Sequence, residues 1–347
     1  MKTNRLLLKI LLFTVLGILV LFAGLYFATS GHWRVEETVA QNPRIPHVTI
    51  DGVTFHAESF GADTADVIIV IHGGPGMDYR YLLPLKELAD QYRVVFYDQR
   101  GTGLSPRVEA SELTLQSSLE DLHRIIQYYS PEKKVNLLGH SWGAMIASGY
   151  LGQHPEKVNK VILAEPGFLT SEMADLFMEV TNGFQVEMTF GNILFMAKTV
   201  LRGLHVREPD NQAMKDYIFS ALITADIPNH PMLGYFCHSK SNPDAMLYWR
   251  MSMTASQAIQ QSQTDEDGKI RLDLVHGVDQ YPDTVLFIAG DCNRLIGPSF
   301  QEKQLKHFPR HRMEVIKDAG HYMFLDQPEE FFKITREYFG ITSSVVQ

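Results

Sequence analysis

The sequence predicts an α/β fold: a mostly parallel eight-stranded sheet with helices on both faces and an inserted helical cap. Three observations predict it. Continuous apolar, β-branched runs recur at Val67–Ile71, Arg93–Tyr97, Val135–Leu138, Val161–Ala164, Val285–Ala289 and Met313–Ile316, as expected for strands buried on both faces. Helical patterns lie between several of these runs, and strands alternating with helices imply parallel pairing. The stretch from Gly167 to Pro282 breaks the alternation and reads as helices and loops, which makes it the inserted cap.

The elements follow in chain order. Residues 1–30 form a separate segment. Lys2, Arg5 and Lys9 are basic, and Ile10 to Ala28 is uncharged and almost wholly apolar. That run is about the length a bilayer span needs, roughly 20 residues, and longer than a typical signal-peptide core. The basic flank assigns the N-terminus to the cytoplasm and the rest of the chain to the outer, periplasmic or extracellular side. Ala28-Thr29-Ser30 also resembles a small-residue cleavage site, so a secreted chain that has lost its signal peptide is the alternative. Residues 31–46 are a polar linker. The core domain then comprises 47–166 and 283–347, with the cap at 167–282.

Val48–Ile50 and Val53–Glu58 flank Asp51-Gly52, a strong hairpin signal. Leu119, Leu122, Ile126 and Tyr129 recur at three- and four-residue spacing, the apolar face of a helix. Of the 347 residues, 45% are apolar and 20% charged, an ordinary globular balance. The net charge of −9, with no Lys/Arg run interleaved with aromatics, argues against nucleic-acid binding. Cys237 and Cys292 give no disulfide framework; free thiols are expected, with a single bridge left open.

Three local motifs carry chemistry. Gly139-His140-Ser141-Trp142-Gly143 fits G-x-S-x-G between a strand-like run and a helix-like stretch. A strand–sharp turn–helix context exposes the serine as a nucleophile, and the glycines let strand and helix approach. His72-Gly73-Gly74-Pro75-Gly76 follows the Val67–Ile71 run. An N–H from that loop, at Gly74, and the N–H of Trp142 after the serine would form an oxyanion hole. Gly320-His321 follows the last strand-like run. His321 is the candidate base, because a serine hydroxyl needs a proton acceptor and histidine titrates in the right range.

With these motifs and Asp98-Gln99-Arg100-Gly101-Thr102-Gly103-Leu104-Ser105, the chain resembles the proline iminopeptidase family of α/β-hydrolases from about Val48 to Phe339. The resemblance implies a serine hydrolase with a helical cap and no metal or organic cofactor. It fails at one position. The family's acid follows the penultimate strand in a Gly-x-x-Asp turn, whereas here the turn is Gly290-Asp291-Cys292-Asn293. An amide cannot stabilise an imidazolium as a carboxylate does. Glu165, at the end of the Val161–Ala164 run and stiffened by Pro166, is the favoured replacement, as the arrangement resembles that of certain haloalkane dehalogenases. Asp291 is the alternative acid, and an Asn293-assisted dyad is the third possibility.

The cap carries 8 Lys/Arg against 14 Asp/Glu, a net −6, and nine of the 14 methionines. An acidic cap would attract a free amino group, and methionines suit an adaptable apolar pocket. A solvated surface and ordinary packing explain both features equally well. The family's amine-binding glutamates have no match here, and Leu233-Gly234-Tyr235-Phe236 lacks a carboxylate. The expected function is a serine hydrolase, first an aminopeptidase on short peptides, alternatively a carboxylesterase or lactonase on small molecules. A catalytically silent binding module is the reading of another class. The N-terminal reading has a direct check: the full-length protein should sediment with membranes, and mass spectrometry should find no mature N-terminus at Gly31.

Overall fold

The structure, a computed structural model, describes residues 2–183, 186–227, 230–237 and 247–340. Eight strands form one sheet in the order β1-β2-β4-β3-β5-β6-β7-β8. β1 (His47–Ile50) and β2 (Val53–Phe60) pair antiparallel across Asp51-Gly52, both of which have positive φ (49° and 80°), the turn geometry a two-residue hairpin needs. β2 continues antiparallel onto β4 (Arg93–Tyr97). From there β3 (Val67–Ile71), β5 (Val135–His140), β6 (Val158–Ala164), β7 (Val285–Gly290) and β8 (His311–Ile316) are parallel. The α/β-hydrolase fold expected from the sequence is the fold observed. β8 begins two residues earlier than its apolar run predicts. It is the edge strand, half-exposed, so its polar residues Arg312 and Glu314 sit in the ladder without burial.

Alternate strand residues point to opposite faces, and two apolar layers result. One buries Ile69, Leu137, Leu163 and Phe287 under α2 (Leu115–Tyr129) and α3 (Trp142–Gln153). The other buries Ile68, Val70, Ile162 and Ile288 under the 3-10 segment Arg80–Asp90 and later helices. After β6 the chain leaves the sheet for α4 (Ser171–Thr181), α5 (Phe190–Gly203), α6 (Ala213–Ile223) and α7 (Met253–Gln261). It then returns through β7, α8 (Pro298–Leu305), β8, α9 (Met323–Asp326) and α10 (Pro328–Phe339). α1 (Lys2–Ala28) precedes all of these elements; its Leu7–Ala28 portion has a mean hydropathy of 2.6 and none of its residues is buried.

A buried charge cluster braces the region between β6 and β7 and, through Arg107 and Asp78, ties it to the sheet domain. Arg250 is fully buried and donates to Asp216 (2.9 Å) and in a fork to Asp210 (2.8 and 2.9 Å). Arg107 donates to the same Asp216 at 3.0 Å. The buried Asp78, just past the His72–Gly76 loop, accepts from the backbone amides of Arg80, Trp249 and Arg250. Its burial and the nearby Asp98 push its carboxyl up to about 7. Removing one member of a buried charge cluster strands the others and costs about 3–5 kcal/mol. Arg250→Ala should therefore lower stability by that amount, read as a drop in the urea midpoint; an unchanged midpoint would show that the bridge contributes nothing.

Candidate active site

Ser141 stands between the last residue of β5 and the first of α3, with φ 56° and ψ −120°. This is a strained conformation for a residue with a Cβ, of the kind that persists where surrounding structure enforces it. The enforcement is visible. The Ser141 amide donates to the Ala164 carbonyl at the end of β6 (2.9 Å), and the Ser141 carbonyl accepts from Ala144 and Met145 in the first turn of α3. A Cβ on Gly143 would collide with the Ile71 carbonyl, and one on Gly139 with the Gly143 carbonyl. The His72–Gly76 loop abuts the elbow, since a Cβ on Gly73 would lie 3.1 Å from the Ser141 Cβ.

That loop is held from behind. Asp98 accepts from the backbone amides of Tyr79 and Leu104 and pairs with His56 Nδ1 at 2.6 Å. Gln99 donates its amides to His72 and accepts the indole N–H of Trp142 (2.9 Å), joining the oxyanion loop to the residue after the serine. The Asp98–Ser105 segment is thus a brace for both halves of the elbow.

His321 is buried and fixed through three different groups. Its amide donates to the Tyr235 carbonyl (2.7 Å), its carbonyl accepts from His140 Nε2 (2.8 Å), and its Nδ1 lies 2.6 Å from Glu165 Oε2. Glu165 directly follows β6, also at positive φ (43°), and is fully buried. Its Oε1 accepts from the Gly290 amide (2.8 Å) and its Oε2 from the Asn293 side-chain amide (2.6 Å). The Asn293 carbonyl oxygen in turn accepts from Leu295 and Ile296. The structure therefore brings His321 to Glu165, with Asn293 a donor to the carboxylate. Asp291 is exposed on the same turn and makes no hydrogen bond to His321.

Burial dominates the electrostatics. It pushes the His321 imidazole down to about 3, which keeps the ring uncharged with the proton on Nδ1 and Nε2 open as an acceptor. Burial pushes the Glu165 carboxyl up from its ordinary value, while donation from Gly290 and Asn293 works in favour of its charged form. His140 is lowered well below an ordinary histidine by burial and by the neighbouring His321. A neutral His140 with its proton on Nε2 fits both of its contacts. Its Nδ1 accepts from Tyr81 Oη (2.8 Å), and Tyr81 Oη accepts from the Gly73 amide (2.8 Å). A continuous polar line thus runs from the His72–Gly76 loop to the backbone of His321.

Sequence reasoning missed this line, which rests on contacts between residues 59 and 181 positions apart. It also expected free thiols. The structure instead joins Cys237 to Cys292 in a disulfide across 55 positions. No local spacing signals that bridge; it forms because Tyr235-Phe236 folds down onto His321 and Tyr322, with the Tyr235 and His321 rings 4.6 Å apart, next to the turn that carries Asn293. Among the described residues no group of three His, Cys, Asp or Glu side chains could hold a metal. A surface groove of about 620 Å³ lined by Thr114, Leu119, Gly149, Asp273 and His276 includes none of Ser141, Glu165 and His321.

A family model described as the alpha/beta hydrolase fold matches residues 66–203. A proline iminopeptidase of Heyndrickxia coagulans is 40% identical over 100 residues, 28% of this chain and 34% of that protein. Epoxide hydrolase 1 of Caenorhabditis elegans is 29% identical over 150 residues, 41% of this chain and 36% of that protein. These alignments therefore span only about a third of each relative's own length. The crystal structure of a proline iminopeptidase from Mycobacterium smegmatis superposes with a TM-score of 0.59 at 17% identity, over 85% of this chain and 97% of that one.

The acid assignment is open to a direct measurement. Glu165→Gln keeps the shape but removes the charge and turns an amide toward donors. The comparable change in a serine protease costs roughly 10⁴ in kcat, and a loss of that order is expected here. Asp291→Asn, at an exposed site, should stay within about twofold of the parent. A larger loss from Asp291→Asn than from Glu165→Gln would transfer the role to Asp291.

Proposed function

We propose that this chain, which has the α/β-hydrolase fold and resembles proline iminopeptidases, is a serine hydrolase cleaving amide or ester bonds through an acyl-enzyme. The observation that carries the reading is the combination of Ser141 on a strained elbow with a buried His321–Glu165 pair at 2.6 Å.

In this reading Ser141 Oγ attacks the substrate carbonyl carbon while His321 Nε2 takes its proton. Glu165 holds the proton on Nδ1 and stabilises the imidazolium as it forms. The oxyanion develops between the strand β3 loop and the start of α3. The Gly73 amide is already used on Tyr81, and the next residue, Gly74, is read as the loop's donor. Trp142 supplies the second N–H, because the first amides of a helix have no intrahelical acceptor. His321 returns its proton to the leaving group. Water, deprotonated by the same imidazole, then attacks the acyl-enzyme, releases the acid and restores Ser141.

The substrate class read first is a short peptide or aminoacyl amide, supported by the resemblance and by the −6 charge of residues 167–282. A specific observation favours a second class, carboxylic esters or lactones. The surroundings of His321 are aromatic (Tyr235, Tyr322 and, beyond them, Tyr248), and its carboxylate neighbour Glu165 is fully occupied by His321, Asn293 and Gly290. A catalytically silent module has only the amide at 293 in its favour, and that amide donates to Glu165. We also read α1 as a membrane anchor with the catalytic domain on the outer side. The Cys237–Cys292 bridge supports that side, because disulfides persist in oxidising compartments.

Ser141→Ala should abolish both turnover and labelling by a fluorophosphonate; undiminished labelling of the variant would remove Ser141 from the role. The substrate classes separate on one comparison, an aminoacyl anilide against its N-acetyl form. A hydrogen bond to a charged amine is worth about 1.5–3 kcal/mol, so an aminopeptidase should lose roughly 10- to 100-fold in kcat/KM on acetylation. An enzyme indifferent to acetylation that turns over p-nitrophenyl esters or lactones is an esterase.

A further inference from the structure

The helix α5 is apolar on its outer face as well as its inner one, where Phe195 and Met196 are half-buried between Asn192 and Thr199. In a helix packed on a water-soluble domain the apolar stripe faces inward. Here the positions buried against the domain include the polar Asn192 and Thr199. The exposed positions are Gly191, Lys198 and an apolar set, Phe190, Ile193, Leu194 and Ala197, then Val200, an i, i+3, i+4, i+7 stripe along the outer face. Phe190 is 81% exposed, Leu194 56%, and Ile193 and Val200 44% each. Met188, just before the helix, is exposed as well. Single exposed apolar side chains are ordinary, but a contiguous stripe marks a surface that meets something.

The position of the stripe identifies what it meets. The C-terminal end of α5 is fastened to the last turn of α1. His205, two residues past α5, stacks on Tyr26 with ring centroids 4.1 Å apart, and its Nε2 lies 2.9 Å from the Tyr26 carbonyl. Arg202, in the last turn of α5, sits over the Trp33 ring at 4.3 Å, and the Trp33 indole N–H donates to the Thr29 carbonyl. Tyr26 and Trp33 are the residue types that settle at a membrane–water boundary, and they lie where the apolar Leu7–Ala28 span ends. α5 thus ends at the level at which α1 would leave hydrocarbon, and the stripe runs back from there toward its N-terminus. Its 14 residues extend about 21 Å from that point.

We infer that the outer face of α5 lies on the lipid bilayer that α1 crosses, with Phe190, Ile193 and Leu194 inserted among the acyl chains. The inference rests on the anchor reading of α1 given above. Burying such a stripe in the interfacial region is favourable in proportion to its apolar area. It gives the domain a second, non-covalent contact with the membrane and so a fixed orientation over it.

The test uses the full chain, reconstituted in phosphatidylcholine vesicles whose acyl chains carry bromine at mid-chain, which quenches indole emission on contact. Phe190→Trp and Leu194→Trp each add an indole on the stripe. Tyr128→Trp adds one at an exposed site on α2 as the reference. The emission each variant adds over the parent is compared in brominated and unbrominated vesicles, with unchanged hydrolysis of a soluble ester as the check that each variant folds. The expected result is loss of the added emission for both α5 variants and none for Tyr128→Trp. If the protein floats with the vesicles but the α5 indoles are quenched no more than the reference, the α5 proposal is wrong while the anchor stands. If dilution in detergent then changes the emission of the same indoles, the stripe is a contact between two copies and the proposal is overturned in that direction. If the protein does not float with vesicles at all, both the anchor and the α5 contact fail.

Discussion

A fully buried carboxylate lies 2.6 Å from a buried imidazole, and much of the surrounding architecture serves to make that pair tolerable. An isolated charge in such a site costs several kcal/mol. Glu165 avoids isolation by accepting three hydrogen bonds from three separate places: the end of β7 at Gly290, the following turn at Asn293, and the loop after β8 at His321. Each donor is itself fixed. Asn293 is held by the amides of Leu295 and Ile296, its neighbour Cys292 is bonded to Cys237, and His321 is held by Tyr235 and His140. Disturbing one of these groups moves the imidazole whose orientation the chemistry needs.

Sheet topology explains how a carboxylate at the end of β6 can reach the turn after β7. β6 and β7 are parallel neighbours, with Ala164 level with Ile288, so their C-terminal ends are side by side. The amide of Glu165 donates to the Ile288 carbonyl, and its side chain reaches the turn after β7. A carboxylate from the end of either strand can therefore address the same imidazole. The amide at 293 is then not a vacancy in the constellation. It is a donor to the carboxylate that stands next door, which is the arrangement a relocated acid requires.

What could be read from the sequence was what is local. The strands announce themselves as buried apolar runs, and the serine, the glycine loop and the histidine each sit in a short motif after a strand. Glu165 was legible only by elimination, because an asparagine stood where a carboxylate was needed. The Tyr81–His140 line and the Cys237–Cys292 bridge left no such mark, since each joins residues whose proximity exists only after the sheet has formed. The periodicity of α5 was present in the sequence too. Which face of it points inward is a tertiary fact, and the burial of Asn192 and Thr199 decides it against the usual expectation.

The region between β6 and β7 is consequently fixed by two kinds of contact. Toward the sheet domain it is held by directional bonds: Arg107 to Asp216, the amides of Trp249 and Arg250 to Asp78, and the disulfide. Near α1 it is held by ring stacking and a cation over an indole, with an apolar face beyond them. Directional bonds tolerate little displacement, whereas contact with a fluid bilayer tolerates lateral sliding. If α5 makes the proposed membrane contact, its motion there meets these directional bonds before it reaches Tyr235 and His321.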